Sequence, residues 1–129
     1  MPKFVEEMLR YDSPVQALVR IVTTDVMLAG VKIPKGEVVL ALISSANRDE
    51  RQHPNPDRFE IHRDQPSLSL GHGAHFCIGA QLARTEARCG MEALLSRFSG
   101  FQRTPAELTW GQAITVRGPH TLPLRFIPT

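Results

Sequence analysis

Two stretches of the chain carry apolar residues at helical spacing. In residues 1–13 the pattern runs through Phe4, Met8 and Tyr11 until Asp12-Ser13-Pro14 interrupts it, which predicts a short helix. Residues 78–98 predict a longer helix that ends before Gly100. Its apolar stripe consists of Ala83, Ala87, Met91, Leu94 and Phe98. We expect this long helix to lie at the centre of the core.

Between the two helices the chain has a different pattern. Residues 15–23 and 25–42 are rich in β-branched side chains and are broken at Ala29-Gly30 and Pro34-Lys35-Gly36, which predicts a small antiparallel sheet within residues 14–43. Residues 44–69 predict one helical turn at 44–47 and then an irregular, proline-rich meander. Within residues 99–129, we expect 113–116 and 122–127 to pair as a hairpin. The predicted fold class is α+β.

Length and composition limit the possible functions. The 129 residues suffice for one domain or part of one. The longest apolar run, residues 38–43, is far shorter than the roughly 20 residues of a membrane span. A net charge of +2 gives no reason to expect a nucleic-acid partner. We expect neither a membrane nor a nucleic acid to be a partner.

The segment 70–79 is the strongest candidate for chemistry. Cys77 lies where a glycine-rich loop meets the long helix, and a helix N-terminus favours the thiolate form that binds iron. Gly71, Gly73 and Gly79 would let the backbone adopt positive φ and approach a flat macrocycle. The apolar neighbours Leu70, Phe76 and Ile78 are expected to keep water away from the sulfur.

The second cysteine and the nearby histidines allow other interpretations. Cys77 and Cys89 would be about 18 Å apart along one helix, too far for a disulfide, so a reducing, cytoplasmic location fits better. We expect Cys89 to be a small buried hydrophobic residue. A zinc site formed by His72, His75, Cys77 and Cys89 is a weaker alternative, because three ligands crowd one loop and the fourth is remote. A c-type heme is excluded because Cys-x-x-Cys-His does not occur.

Residues 70–79 also resemble the signature Phe-Gly-x-Gly-x-His-x-Cys-x-Gly of the cytochrome P450 superfamily, with Leu70 in place of the phenylalanine. The accompanying motifs are similar to those of soluble bacterial members. The resemblance implies the fold of this family and heme b, iron protoporphyrin IX, with Cys77 as the catalytic iron ligand. It further implies that Arg20 and His75 bind the heme propionates, and a solvated strand residue is the weaker alternative for Arg20. The implied cofactor-binding set is Arg20, Leu70, Gly71, Gly73, His75, Cys77, Ile78 and Gly79.

A second signature of the family is Glu-x-x-Arg on an upstream helix. Glu7 and Arg10 have this spacing, which taken alone would predict an ordinary surface ion pair. The family completes the pair with an arginine from a Pro-x-Arg-Phe stretch, and residues 56–59 match that stretch. The resemblance therefore implies a buried structural triad of Glu7, Arg10 and Arg58.

The resemblance implies a monooxygenase that inserts one atom of dioxygen into an apolar or natural-product-like substrate. Its substrate-facing segments would be Val15, Gln16, Ala17, Leu18 and Val19, together with Ile114, Thr115 and Val116. The electron donor would be a ferredoxin-like or flavin-containing protein. Arg84 and Arg88 form either its docking patch or simply a solvated helix face.

The motifs correspond to the C-terminal third of the family's fold. We expect the N-terminal portion, including the helix that activates oxygen, to be missing, so that the chain alone is inactive. Apolar surface left uncovered predicts a homo-oligomer or domain swap. Three hypotheses follow: part of a monooxygenase, a separate heme-binding or partner-binding module, or a truncated remnant that folds as an oligomer without cofactor.

Overall fold

The computed structural model describes residues 1–129 as three helices and six strands. The helices are α1 (Pro2–Tyr11), α2 (Ile43–Ala46) and α3 (Ala80–Leu95). The strands are β1 (Leu18–Ile21), β2 (Val26–Leu28), β3 (Val31–Ile33), β4 (Val38–Ala41), β5 (Phe98–Arg103) and β6 (Leu124–Pro128). A 3₁₀ turn, Gly73–His75, precedes α3. This arrangement confirms the α+β class.

Helix α1 begins at Pro2, a position where the missing N–H of proline costs nothing because it would have no partner within the helix. It ends at Tyr11, just before Asp12-Ser13-Pro14, since a proline disfavours helical backbone in the residue before it. The buried face of α1 consists of Val5, Glu7 and Arg10. Two of these three residues are charged, so this buried face requires oppositely charged or hydrogen-bonding partners.

The predicted antiparallel sheet is present as two separate ladders. β1 pairs with β4, with Val19 opposite Leu40, and β2 pairs with β3, with Met27 opposite Lys32. The break predicted at residues 29–30 is the turn of the β2–β3 hairpin, where both residues have positive φ. The strand pattern therefore predicted the pairing direction correctly but not the division into two ladders.

The predicted pairing of residues 113–116 with 122–127 is wrong. β6 instead pairs antiparallel with β5, and Phe101 lies opposite Phe126. The rings of these two residues, with Phe98, form an aromatic cluster with centroid separations between 4.7 and 6.3 Å. This aromatic contact, which joins residues distant in sequence, explains why β6 prefers β5 over its local neighbour.

Helix α3 lies where the sequence predicted it, but it is not a core helix. It packs against α1 and β5, and Ala80 is its only buried residue. The predicted stripe members Ala83, Ala87 and Leu94 are exposed, because no other element of the chain covers that side. Cys89 is likewise exposed, which corrects the expectation of a buried cysteine.

The interior of the chain is small and mostly polar. The buried apolar residues are Val5, Ala17, Ile43 and Ala80, and the buried polar residues are Glu7, Arg10, Ser13, Asn47, His53 and Ser69. The accessible area is 9636 Å², whereas a compact monomer of 14.4 kDa exposes about 6,800 Å². Self-association through this excess surface stays a prediction. None of the helices combines the length and the apolar composition that crossing a membrane requires.

Candidate functional site

A buried ion cluster joins α1 to the irregular segment that follows α2. Arg10 donates from Nε and Nη2 to the two oxygens of Glu7, each at 2.8 Å. Its Nη1 donates to the carbonyls of Asn47 and Pro56, both at 2.9 Å. Glu7 also accepts the backbone N–H of Glu60 at 2.7 Å. Nearly all polar atoms of the pair are satisfied, as a buried ion pair requires.

The third charged member is Arg63, not Arg58. Arg63 Nε lies 3.5 Å from Glu7 Oε2, and its side chain is 6% exposed. The Arg58 side chain is 75% exposed and faces Glu60, whereas only its carbonyl accepts from Arg10. The predicted triad is therefore corrected at one position: the backbone of Arg58 takes part, and the guanidinium comes from Arg63.

The environment of Glu7 stabilises its charged form. Burial by itself would raise the pKa of this carboxyl, but the hydrogen bonds from Arg10 and the Glu60 N–H, with the charges of Arg10 and Arg63, lower it below its ordinary value. Glu7 is thus a carboxylate that faces two buried guanidiniums, those of Arg10 and Arg63.

His53 is a buried member of this region that the sequence did not suggest. The residue is 3% exposed, and its ring Nδ1 has no hydrogen-bond partner. Its backbone N–H donates to the Asp49 carbonyl at 2.8 Å. Burial lowers the pKa of His53, and the charges of Arg10 and Arg63 lower it further, against the opposing charges of Glu7 and Asp49. Burial and the two guanidiniums therefore favour the neutral form of this imidazole over its protonated form.

We expect His53 to make the chain sensitive to mild acid. Because its folded-state pKa lies below the ordinary value of 6.5, its contribution to stability is present above pH 6.5 and is lost as the pH falls through the folded-state pKa. Urea unfolding at a series of pH values should show this loss, and His53→Phe, which cannot titrate, should reduce it. An identical pH dependence in the two proteins would contradict this assignment.

Asn47 connects the ion cluster to the cysteine loop. Its Nδ2 donates to Ser69 Oγ at 2.8 Å, and its Oδ1 accepts the Leu68 N–H at 2.7 Å. Ser69 Oγ in turn donates to the carbonyl of Leu9 on α1. The residues directly before the loop are therefore fixed to α1 by side-chain hydrogen bonds, within a segment that has no regular secondary structure.

The cysteine loop is closed at its base. The Cys77 N–H donates to the Leu70 carbonyl at 2.8 Å, and the Gly71 N–H donates to the Leu68 carbonyl at 2.8 Å. The Cys77 carbonyl accepts the N–H of Ala80, the first residue of α3, at 3.1 Å. Cys77 is thus held between the anchored segment 68–70 and the start of a helix.

Two of the three loop glycines have the backbone conformation that the sequence predicted. Gly71 and Gly73 have φ of +79° and +64°. A Cβ on Gly71 would lie 3.0 Å from the His75 carbonyl oxygen, so a side chain there would distort the loop. Gly79 has an ordinary φ of −84°, which corrects the expectation of a positive φ. Its lack of a side chain instead leaves space beside the sulfur, because a Cβ there would lie 3.9 Å from Cys77 Sγ.

The face that carries the sulfur is open and partly apolar. Cys77 is exposed, Phe76 is half-exposed and Ile78 is fully exposed, so within this chain these side chains do not exclude water from the sulfur. The histidines and cysteines weighed as zinc ligands form no cluster that could hold a metal. An exposed thiol beside a small residue, with uncovered apolar side chains at the two neighbouring positions, fits a flat apolar group that covers the loop.

The family model described as Cytochrome P450 matches residues 1–109 of the chain. The chain belongs to the cytochrome P450 family. It is 45% identical over 126 residues to the cytochrome P450 monooxygenase PikC of Streptomyces venezuelae, a match that covers 95% of this chain and 30% of that protein. Members of the family are heme-thiolate proteins.

Solved structures of cytochromes P450 share the fold. That of CYP109Q5 from Chondromyces apiculatus has a TM-score of 0.92 and 49% identity, over 99% of this chain and 33% of that one. CYP109E1 from Bacillus megaterium, in complex with testosterone, has a TM-score of 0.91 and 42% identity, over 97% of this chain and 35% of that one. The chain thus adopts the C-terminal portion of the P450 fold and spans about one third of its relatives' length.

The two segments predicted to face the substrate lie side by side in this P450 chain. Val15 forms a bridge with Val116, and the Gln16 N–H donates to the Thr115 carbonyl at 2.8 Å. Nothing in the sequence spacing suggested this contact, since the segments are about one hundred residues apart. The structure does not join Arg20 and His75: both are exposed, on β1 and on the 3₁₀ turn respectively.

The predicted electron-donor patch is only half available. Arg84 forms a bidentate ion pair with Glu6 of α1, and its guanidinium lies 6.0 Å from the Phe76 ring centroid. The hydrogen bond to Glu6 raises the pKa of Arg84 above its ordinary value. Arg88, one turn further along α3, is exposed and has no such partner. Arg84 thus links the two helices, and only Arg88 is left free for a partner protein.

Proposed function

We propose that Cys77, as a thiolate, is the iron ligand of heme b in a cytochrome P450 monooxygenase. The observation that carries this proposal is the position of the sulfur. It lies on an open face beside Gly79 and just before α3, in a chain whose relatives are cytochromes P450. When bound there, heme supplies the redox chemistry that inserts one atom of dioxygen into a substrate.

The backbone around Cys77 suits a negatively charged sulfur. The N–H groups of Ile78 and Gly79 have no acceptor within the chain. They lie at the N-terminal end of α3, where the helix dipole favours negative charge. Hydrogen bonds from such groups and the helix dipole would stabilise the thiolate. The loop thus orients the ligand and supports its charge.

Residues of the loop, together with Arg20 of β1, would bind the remainder of the cofactor. We propose that His75 and Arg20 bind the propionates, since both side chains are exposed and can donate to carboxylates. Leu70, Phe76 and Ile78 would contact the macrocycle. Covering the two exposed side chains, Phe76 and Ile78, would stabilise the complex and exclude water from the sulfur.

We propose an apolar substrate, contacted by residues 15–19 and 114–116. Ile114 and Val116 are exposed apolar residues on the segment that pairs with Val15. The testosterone complex of the Bacillus megaterium relative supports an apolar substrate class. Electrons would come from a ferredoxin-like or flavin-containing protein, for which Arg88 is the available docking cation. The relatives contain a further part of the fold, outside the region that this chain matches. We propose that the groups which deliver protons to oxygen lie in that part.

Absorption spectroscopy tests the proposal. Purified chain mixed with hemin should bind it, and after reduction and exposure to carbon monoxide the complex should show the Soret shift typical of thiolate ligation. Absence of heme uptake, or a Soret band without that shift, would contradict it. Uptake without substrate oxidation, with an electron donor present, would favour the hypothesis of a heme-binding module.

A further inference from the structure

Residues 111–118 form a closed loop that carries Ile114 at its tip. The Gly111 N–H donates to the Gly118 carbonyl at 3.0 Å, Trp110 forms a bridge with Pro119, and the His120 N–H donates to the Thr109 carbonyl at 2.9 Å. The two ends of the loop are therefore joined by backbone contacts, and residues 111–118 form one closed unit. Its orientation depends on what holds this unit against the rest of the chain.

Arg117 makes three contacts that hold the loop. Its guanidinium carbon lies 3.9 Å from the centroid of the Trp110 ring, which stiffens the loop base. Its Nη1 lies 2.8 Å from Asp12 Oδ1 at the end of α1, and its N–H donates to the Pro14 carbonyl at 2.8 Å. One residue thus connects both ends of the loop to the end of α1. We call Asp12, Trp110 and Arg117 the Arg117 clamp.

Helix α1 is also the support of the cysteine loop. Its Leu9 carbonyl accepts from Ser69, next to Leu70, whose carbonyl accepts the Cys77 N–H. Asp12 is three residues after Leu9, on the same final turn of the helix. Helix α1 therefore connects the Ile114 loop to the cysteine loop, with the Arg117 clamp on one side and the Ser69 hydrogen bond on the other, in addition to the backbone contacts of residues 14–17 with residues 115–117.

We propose that Arg117 is a positioning residue which, through Asp12 and Trp110, fixes the Ile114 loop relative to Cys77 and so sets the fit of an apolar ligand. This inference rests on the proposed function, because the ligand is the one that would lie between Ile114 and the iron. Arg117 itself need not touch the ligand. Its loss should change selectivity for the apolar part of a ligand and leave binding at the iron unchanged.

The test compares Arg117→Gln and Arg117→Lys with the matched control Arg103→Gln. Arg103 is an exposed arginine on β5 with no ion pair, and lysine at position 117 keeps the charge toward Asp12 but loses the flat stack on Trp110. Amide hydrogen exchange of Gln16, whose N–H donates to Thr115, reports whether the loop stays in place. We expect about three- to thirtyfold faster exchange in Arg117→Gln, less in Arg117→Lys, and no change in the control.

A second measurement uses the heme-loaded chain with imidazole and with N-alkylimidazoles of increasing length. Imidazole reports binding at the iron. The additional affinity of the longer probes reports their contacts with the apolar residues of the Ile114 loop. Arg117→Gln should reduce the ratio of the long-probe to the imidazole affinity about three- to thirtyfold and leave imidazole binding unchanged. Arg103→Gln should leave both unchanged.

The outcomes separate the two proposals. Unchanged Gln16 exchange in both Arg117 variants would overturn the clamp, with or without heme. Faster exchange with an unchanged affinity ratio would overturn its role in ligand fit. If imidazole causes no spectral change even in the unaltered chain, the proposed heme function is wrong, and so is the proposed role of Arg117 in ligand fit at the iron. Faster Gln16 exchange in Arg117→Gln would still support the clamp in that case. Trp110 is the only tryptophan, so its emission gives an independent check on the stack.

Discussion

Replacing Glu7 with glutamine is expected to lower the free energy of unfolding by about 3–5 kcal/mol, because it removes one partner of a buried ion cluster. The amide has nearly the same shape and its oxygen can still accept the Glu60 N–H. It carries no charge, so the buried guanidiniums of Arg10 and Arg63 lose their counter-ion. Urea unfolding measures the loss.

The size of this effect follows from the composition of the interior. Folded proteins are stable by roughly 0.05–0.15 kcal/mol per residue, so a loss of several kcal/mol is a large fraction of the total for this chain. Few apolar residues are buried to compensate for it. If Glu7→Gln does not fold in dilute buffer, the comparison can be made in a stabilising osmolyte, which raises the stability of both proteins.

Arg63 and Arg58 provide a matched pair for the corrected triad. Both are arginines of the same irregular segment, five positions apart, with side chains 6% and 75% exposed. Arg63→Gln should be strongly destabilising, because Arg63 also donates to the carbonyls of Pro54 and Asn55. Arg58→Gln should change stability by no more than about 0.5 kcal/mol, as surface substitutions usually do. The reverse order would restore Arg58 as the third member of the cluster.

The error at Arg58 shows what a motif in an irregular segment can predict. The motif placed the segment correctly, since the carbonyls of Pro56 and Arg58 both accept from Arg10. It could not predict which side chain points inward. Helices and strands have a period from which the buried face can be deduced, whereas residues 47–69 have none. His53 was missed for the same reason.

The errors at α3 and β6 have a different origin. The stripe on residues 78–98 predicted the helix correctly, but a stripe does not say whether the chain contains an element that covers it. For β6 the local pattern favoured a hairpin with residues 113–116. The contact of Phe126 with Phe98 and Phe101 decided the pairing instead, and contacts between distant residues leave little trace in local sequence. In the cysteine loop the positive φ of Gly71 and Gly73 was predicted correctly, because a turn of this kind is formed by residues close together in sequence.

Replacing Cys77 with serine is expected to abolish the thiolate-type Soret shift of the reduced, carbon monoxide-treated chain. Serine is close in size to cysteine, so the loop should keep its Leu70 hydrogen bond and its two positive-φ glycines. A serine hydroxyl is a poor substitute for a soft, anionic sulfur as an iron ligand. Altering groups that merely support a metal ligand costs about 10- to 100-fold in affinity, so losing the ligand itself should weaken heme binding by at least that factor.

Cys89→Ser is the matched control, because Cys89 is the only other cysteine and is also exposed. It lies on the α3 surface, twelve residues after Cys77 and outside the glycine loop, so the Soret shift and the heme affinity should be unchanged. Loss of the shift in both variants would indicate general damage or unspecific thiol binding. Retention of the shift in Cys77→Ser would remove the proposed ligand. Loss in Cys77→Ser alone, with unchanged urea unfolding of the heme-free chain, would assign the iron to Cys77, because the fold would be the same and only the sulfur would differ.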